Sequence, residues 1–222
     1  MTIGEAMSPH KELADLELSA QEVMIGARRL RLWRPARPQE LVDGGAESGA
    51  AGPVWAHTWT SGIVLARLIT DRALQDLRVL DIGCGLGLVG VAAAAAGAAV
   101  TVSDRSAYAL AFAAVNAEVN GLSVEAVRCD WRDPAPLAVR GPWDLVLGAD
   151  LLYDERSAFH LLRLLDRLVA AAGEVWLTDP GRRAAAAFTA AASVDWTLSR
   201  RACGSGVVLH RLRRDPDAGR SL

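Results

Sequence analysis

The chain has 222 residues, 51% of them hydrophobic, and a formal net charge of −2. That length suits one sizeable α/β domain with a well-buried core and is short for two. No apolar run reaches the roughly 18–20 residues of a membrane span, and the charge balance argues against a general nucleic-acid binder, which needs clustered positive charge to neutralise phosphates.

In chain order, residues 1–20 read as a mobile lead with few apolar side chains and no secretory signal, since a basic segment followed by an apolar core is missing. The runs QEVMI and RRLRLW flank Gly26-Ala27 and read as a β-hairpin. Its second run carries Leu30 and Leu32 inward and arginines in solvent; the arginines of residues 28–37 also suit contact with an acidic partner. PARPQELVDGGAESGAAGP is loop, rich in glycine, proline and small polar residues. In VWAHTWTSGIVLARLIT, the spacing of Ile63, Leu65, Leu68 and Ile69 predicts the buried side of a helix.

From there strands and helices alternate. RVLDI, AVTVSD, VEAVRCD, WDLVLGAD and GEVWLTD are strand-like. GLVGVAAAAAG, SAYALAFAAVNAEVNG, SAFHLLRLLDRLVAAAG and GRRAAAAFTAAAS are helix-like, the second capped by Ser106 and ended by Gly121. VDWTLSR and GVVLHRLR leave no room for a helix between them and should pair antiparallel. The pattern predicts a Rossmann-like α/β fold: a seven-stranded, mostly parallel sheet with an antiparallel last strand, helices on both faces and an N-terminal β-hairpin extension. Residues 1–52 form the extension with its loop, 53–214 the main domain and 215–222 a flexible tail.

Ligands of open α/β sheets bind outside the carboxyl ends of the strands. Asp81, Asp104, Asp130, Asp150 and Asp179 fall at five such ends. A lone aspartate after a strand is usually a cap or turn former, but five together would line the mouth of the sheet. Residues 85–90 fit G-x-G-x-x-G, and Gly83, Gly85 and Gly87 let the backbone turn sharply. Asp104 lies about 20 residues beyond the loop, where a carboxylate can accept both ribose hydroxyls of an adenosine ligand. NAD and S-adenosylmethionine share that feature. Two observations separate them: the chain after the loop is too short for the sheet plus a substrate domain, and the final strand pair is not part of an all-parallel dinucleotide fold.

The extended D-x-G-x-G-x-G of residues 81–87 resembles the first motif of class I S-adenosylmethionine-dependent methyltransferases. VWAHTWTSGIVLARLI before the first strand of the sheet, CDWRD after the third and GADLLYD after the fourth resemble the seven-β-strand protein lysine methyltransferases, which include the enzyme acting on the electron-transfer flavoprotein β subunit. The resemblance implies S-adenosylmethionine as cofactor, S-adenosylhomocysteine as product, and contacts from Trp59, Asp81, Gly83, Cys84, Gly85, Gly87 and Asp104. Asp130, Trp131 and Ala149 would join them. Trp131 can lie on the adenine face and Asp130 can accept from its exocyclic amine; each tryptophan also suits plain packing. Trp55 competes with Trp59 for the same role.

The D-x-x-Y signature is Asp150-Leu151-Leu152-Tyr153. The resemblance implies that Asp150 orients the acceptor amine and collects its proton, and that Tyr153 closes the channel and holds methylated ammonium. Capping by Asp150 and core packing by Tyr153 are the alternatives. Asp154 and Glu155 suit the first turn of a helix, and His57, His160 and His210 show no ligand spacing, so no metal is assigned. The cysteines Cys84, Cys129 and Cys203 are far apart and point to a reducing cytoplasm, with no membrane partner. Three functions remain open: a protein N-methyltransferase, a small-molecule or peptide methyltransferase, and a silent cofactor-binding partner protein.

Overall fold

The computed structural model describes residues 3–7, 10–41, 48–49 and 52–214. The tail expected over residues 215–222, and residues 42–47 of the loop, lie outside them. A short helix α1 (Ile3–Met7) precedes the hairpin strands β1 (Leu18–Ile25) and β2 (Arg28–Pro35), and two-residue strands β3 (Ser48–Gly49) and β4 (Gly52–Pro53) follow. Next come α2 (Thr60–Thr70), β5 (Arg78–Ile82), α3 (Leu88–Ala95), β6 (Ala99–Asp104), α4 (Ala107–Val119), β7 (Glu125–Arg128) and α5 (Ala135–Ala138). The chain continues through β8 (Trp143–Ala149), α6 (Glu155–Leu168), β9 (Val169–Asp179), α7 (Arg183–Ala192), β10 (Trp196–Ala202) and β11 (Val208–Arg214).

Seven strands form one sheet in the order β10-β11-β9-β8-β5-β6-β7. The pairs β5–β6, β6–β7, β5–β8 and β8–β9 are parallel, whereas β11 runs antiparallel to both β9 and β10. Side chains alternate between two apolar layers, as in a sheet covered on both faces. Leu80, Ile82, Val146 and Leu177 meet Leu161, Leu165 and Phe188 of α6 and α7 on one side. Val79, Val102, Leu147 and Trp176 meet Leu65, Ile69 and Val89 of α2 and α3 on the other. The strand order reverses at β5, whose neighbours β6 and β8 lie on opposite sides, and this opens a crevice at its carboxyl end.

Two elements differ from expectation. Helix α6 stops at Leu168, and the apolar run VAAAG, expected to extend it, begins β9. Val169 pairs with Trp143 across a register shift, and a Cβ on Gly173 would stand 2.9 Å from the Trp143 carbonyl oxygen. The described part of the lead is no loose segment: Ala6 and Leu13 are fully buried with Trp55, Phe112 and Val115. The hairpin forms its own two-stranded sheet and covers α2, α3 and α4 with Val23, Ile25, Leu30 and Leu32. Leu30 and Leu32 do face inward, while Arg29 and Arg31 pair with Glu22 on the adjacent strand.

Helix α4 ties these parts together. Ser106 caps it through its hydroxyl, which accepts from the Ala109 N–H at 3.2 Å. Asn116 and Asn120, one turn apart, mimic the edge of a strand for β2. The Asn116 amide accepts from the Trp33 N–H at 2.6 Å and donates to the Trp33 carbonyl at 3.0 Å. Asn120 does the same for both backbone groups of Arg31, at 3.0 and 2.7 Å. Asn116 also donates to the Leu86 carbonyl in the glycine loop at 2.9 Å. Asn116→Leu strands all three backbone groups and should lower unfolding free energy by about 2–4 kcal/mol. Chemical denaturation of the two proteins measures it; a loss under about 0.5 kcal/mol would contradict the bracing role.

Candidate active site

The crevice at the carboxyl end of β5 opens into a cleft of about 590 Å³, within the range of small-molecule sites. Its wall is built from the segment before α2 (Val54, His57, Trp59), the β5–α3 loop (Gly83, Cys84, Gly85), Asp104, the loop after β7 (Asp130, Trp131), the last residue of β8 (Ala149) and the loop after it (Asp150, Tyr153). Asp81 also borders it, so the structure brings together every residue expected to contact the cofactor or the acceptor except Gly87. Gly87 faces α4: at φ +80° it would put a Cβ 2.6 Å from the Ala113 Cβ, so its place in the motif is set by helix packing.

The carboxylates at the strand ends are each held by the chain. Asp104 accepts from the Gly85 N–H through Oδ2 and from the Ser106 N–H through Oδ1, both at 3.0 Å. A carboxylate offers about four lone pairs, so it retains acceptor capacity for two ligand hydroxyls. Asp81 is 2% exposed, behind the glycine loop, and accepts from the Gly90 N–H at 2.7 Å. Burial, the largest influence, pushes its carboxyl from 3.8 up to about 7. Asp130 is gripped by Arg132, whose Nε lies 2.9 Å from Oδ1, and that bond holds its carboxyl down at about 2. Burial raises the Cys84 thiol well above its usual range, which leaves it an unreactive wall group.

The two N-terminal tryptophans separate cleanly. Trp55 is 5% exposed and stacks on Tyr108 at 6.1 Å between ring centroids. Trp59, in the extended turn before α2, is 45% exposed and anchored by its indole N–H to the Val54 carbonyl at 3.0 Å. The cleft thus presents the Trp59 ring at its rim, while Trp55 packs mainly into the core. Trp131 is half-buried beside the glycine loop; a Cβ on Gly83 would reach its ring at 3.6 Å and Leu151 at 2.6 Å.

Asp150 sits just past β8 with φ +60°, a left-handed conformation uncommon for a residue with a side chain. Its N–H donates to the Thr178 carbonyl of β9 at 2.9 Å. Its Oδ1 accepts from the guanidinium of Arg182, which also stands 3.4 Å from Asp179. Arg182 lines the cleft and is the residue that sequence reasoning missed. The only hint was a basic residue three places after the strand-end Asp179. Asp179 itself is fully buried beneath Arg182 and does not border the cleft. Asp154 caps α6, its carboxylate accepting from the Ser157 N–H at 2.8 Å. Tyr153 is 42% exposed at the rim. Among the described residues no group of three or more metal-ligating side chains occurs.

These residues fit S-adenosylmethionine: an anchored carboxylate for the ribose, an aromatic ring beside a glycine loop for the base, and acidic walls suited to a cationic ligand. Comparison with known proteins agrees. The sequence profile of a family described as lysine methyltransferase matches residues 41–189. The protein N-lysine methyltransferase METTL21A of Danio rerio is 35% identical over 173 residues, 73% of this chain and 74% of that protein. The electron transfer flavoprotein beta subunit lysine methyltransferase of Xenopus laevis is 34% identical over 137 residues, 59% of this chain and 53% of that protein, about half its length. Among solved structures, the ribosomal protein L11 methylase of Lactobacillus delbrueckii subsp. bulgaricus superposes with a TM-score of 0.62 at 20% identity, over 88% of this chain and 99% of that one. The Thermus thermophilus 16S rRNA N2 G1207 methyltransferase, in complex with AdoMet and guanosine, superposes at 0.67 and 13% identity, over 90% of this chain and 51% of that one. Both structural likenesses concern the fold.

The raised Asp81 carboxyl carries a pH signature. Between its ordinary value of 3.8 and about 7 the folded chain holds a proton that the unfolded chain has released. The associated stability is fully present below the lower value and is lost as pH rises through the upper one, about 4 kcal/mol in all. Between about pH 5 and about pH 8, wild type should lose about 2–3 kcal/mol relative to Asp81→Asn. Denaturation of both proteins across that range checks it; parallel curves would contradict it.

Proposed function

The chain belongs to the lysine methyltransferase family and is an S-adenosylmethionine-dependent methyltransferase, and from that premise we propose that its acceptor is the lysine side chain of a cytoplasmic protein. The observation that carries this reading is Asp150, the aspartate of the D-x-x-Y signature, in the same cleft as the glycine loop and Asp104. Asp104 would accept from the ribose hydroxyls with its remaining lone pairs. Trp131 would lie along the adenine, and Asp130, kept ionised by Arg132, would accept from the exocyclic amine. Gly83, Cys84 and Gly85 shape the floor, Ala149 leaves room beside it, and Trp59 covers the rim.

When bound, S-adenosylmethionine supplies a methyl group on a cationic sulfur: the amine lone pair forms the N–C bond as the C–S bond breaks, its electron pair stays on sulfur, and one proton leaves the nitrogen. The chain's task is to present a neutral amine in line. Lysine titrates near 10.4, so holding it neutral at about pH 7 costs roughly 4–5 kcal/mol. Asp150 accepts an N–H of the amine through Oδ2, which aims the lone pair and gives the departing proton a first acceptor. The Tyr153 ring closes over the alkyl stem and offers its face to the methylated ammonium. Trp59 and Tyr153, both large and exposed at the rim, favour an acceptor with enough surface to cover them, as a protein has.

The test is transfer of labelled methyl into a lysate of the source organism. Wild type should label a discrete protein band, and Asp150→Ala should lose the label by at least about 100-fold while binding S-adenosylhomocysteine within about twofold of wild type. Label only in the small-molecule fraction, or full activity in the variant, would contradict the reading.

A further inference from the structure

Arg182 occupies the carboxylate assigned to the acceptor amine. Its guanidinium bonds Oδ1 of Asp150 and lies 3.4 Å from Oδ2 of Asp179. The buried Asp179 fixes this position from below, because its Oδ1 accepts from the N–H groups of Gly181 and Arg182, each at 2.7 Å. Thr178 holds the Asp150 backbone from the same strand end. The end of β9 therefore clamps Asp150 by its main chain and by one carboxylate oxygen, leaving Oδ2 as the acceptor available to a ligand.

The charges of this cluster have a chemical consequence. Asp150 and Asp179 share one guanidinium, so the three together carry a single formal negative charge. A bound sulfonium balances it. Asp154 and Arg156, which border the cleft at the start of α6, cancel one another, and the imidazole of His160 completes that wall. With the donor bound, this cluster thus brings no surplus negative charge of its own to hold an ammonium ion, and Asp104 and Asp130, which border the cofactor part of the cleft, are matched in formal charge by Arg105 and Arg132. Without Arg182 the cluster would have such a surplus, and Asp150 would retain a protonated amine, which has no lone pair for attack.

We infer that Arg182 is a specificity-determining residue: a charge gate that keeps Asp150 oriented and makes the acceptor site take a neutral amine in preference to ammonium. The inference rests on Asp150 facing the acceptor nitrogen. Its test needs no knowledge of the natural acceptor. n-Butylammonium, which reproduces the end of a lysine side chain, is titrated into protein saturated with S-adenosylmethionine at about pH 7, with binding followed by calorimetry or NMR. Methyl transfer is minimised by working at low temperature, and S-adenosylhomocysteine, which lacks the sulfonium charge, serves as the comparison ligand.

In the donor complex Arg182→Gln should bind n-butylammonium at least about threefold more tightly than wild type, and Arg182→Lys should restore the wild-type value. Asp150→Asn should bind most weakly. A merely structural role for Arg182 would weaken or leave unchanged the binding of the cation, so equal or weaker binding by Arg182→Gln overturns the inference. Affinity for S-adenosylhomocysteine within about twofold of wild type in each variant shows that the cleft is intact. If Asp150→Asn binds n-butylammonium as wild type does, the placement of the acceptor at Asp150 fails instead, whatever Arg182 does.

Discussion

Five aspartates stand at the carboxyl ends of five adjacent parallel strands, and a buried carboxylate without a partner costs several kcal/mol. The architecture of the cleft follows from how each one is held. Asp81 is buried against the first turn of α3 and takes the Gly90 N–H. Asp104 is fixed by two backbone N–H groups, one of them from the glycine loop, so the loop and the carboxylate define each other's position. Asp130 is met by Arg132 from its own loop. Asp150 and Asp179 share Arg182. The chain satisfies these groups only in part where they border the cleft, and the lone pairs left over are what a ligand can use.

Parts remote from the cleft bear on the same geometry. The N-terminal hairpin is outside the main sheet, yet Asn116 joins its second strand to α4 and to the Leu86 carbonyl of the glycine loop. The helix that carries Asn116 begins immediately after Asp104 and Ser106, so the brace and the ribose carboxylate belong to one rigid unit. Gly87 supports it from another side, allowing α3 and α4 to approach at a distance a side chain would prevent. The loop that shapes the cofactor floor is thus set by packing behind it as much as by its own glycines.

Much of this was legible in the sequence because the signals were periodic or chemical. Strand–helix alternation gave the parallel sheet, the short link between VDWTLSR and GVVLHRLR gave its antiparallel end, and strand-end aspartates marked the cleft. Tertiary contacts decided the rest. The run VAAAG has no helix-breaking signal before Gly173, and its conversion to strand begins where Val169 pairs with Trp143. Residues of the lead look sparse in apolar character, yet Ala6 and Leu13 find a groove on α4. Trp55 and Trp59 have the same local chemistry; neighbours far along the chain, Tyr108 and Phe112, claim the first. Arg182 could not be found from spacing alone, because its partner Asp150 is 32 residues away and meets it only across the β8–β9 edge.

By this mechanism the cleft delivers a methyl group to the Nζ of a lysine. Tandem mass spectrometry of the protein labelled by wild-type enzyme tests it most directly, by reading which side chain carries the new methyl group. Methylated lysine is expected at one or a few sites of a discrete protein, and none when Asp150 is replaced by alanine. Label on histidine, arginine or a backbone amine, with lysine unmodified, would contradict it.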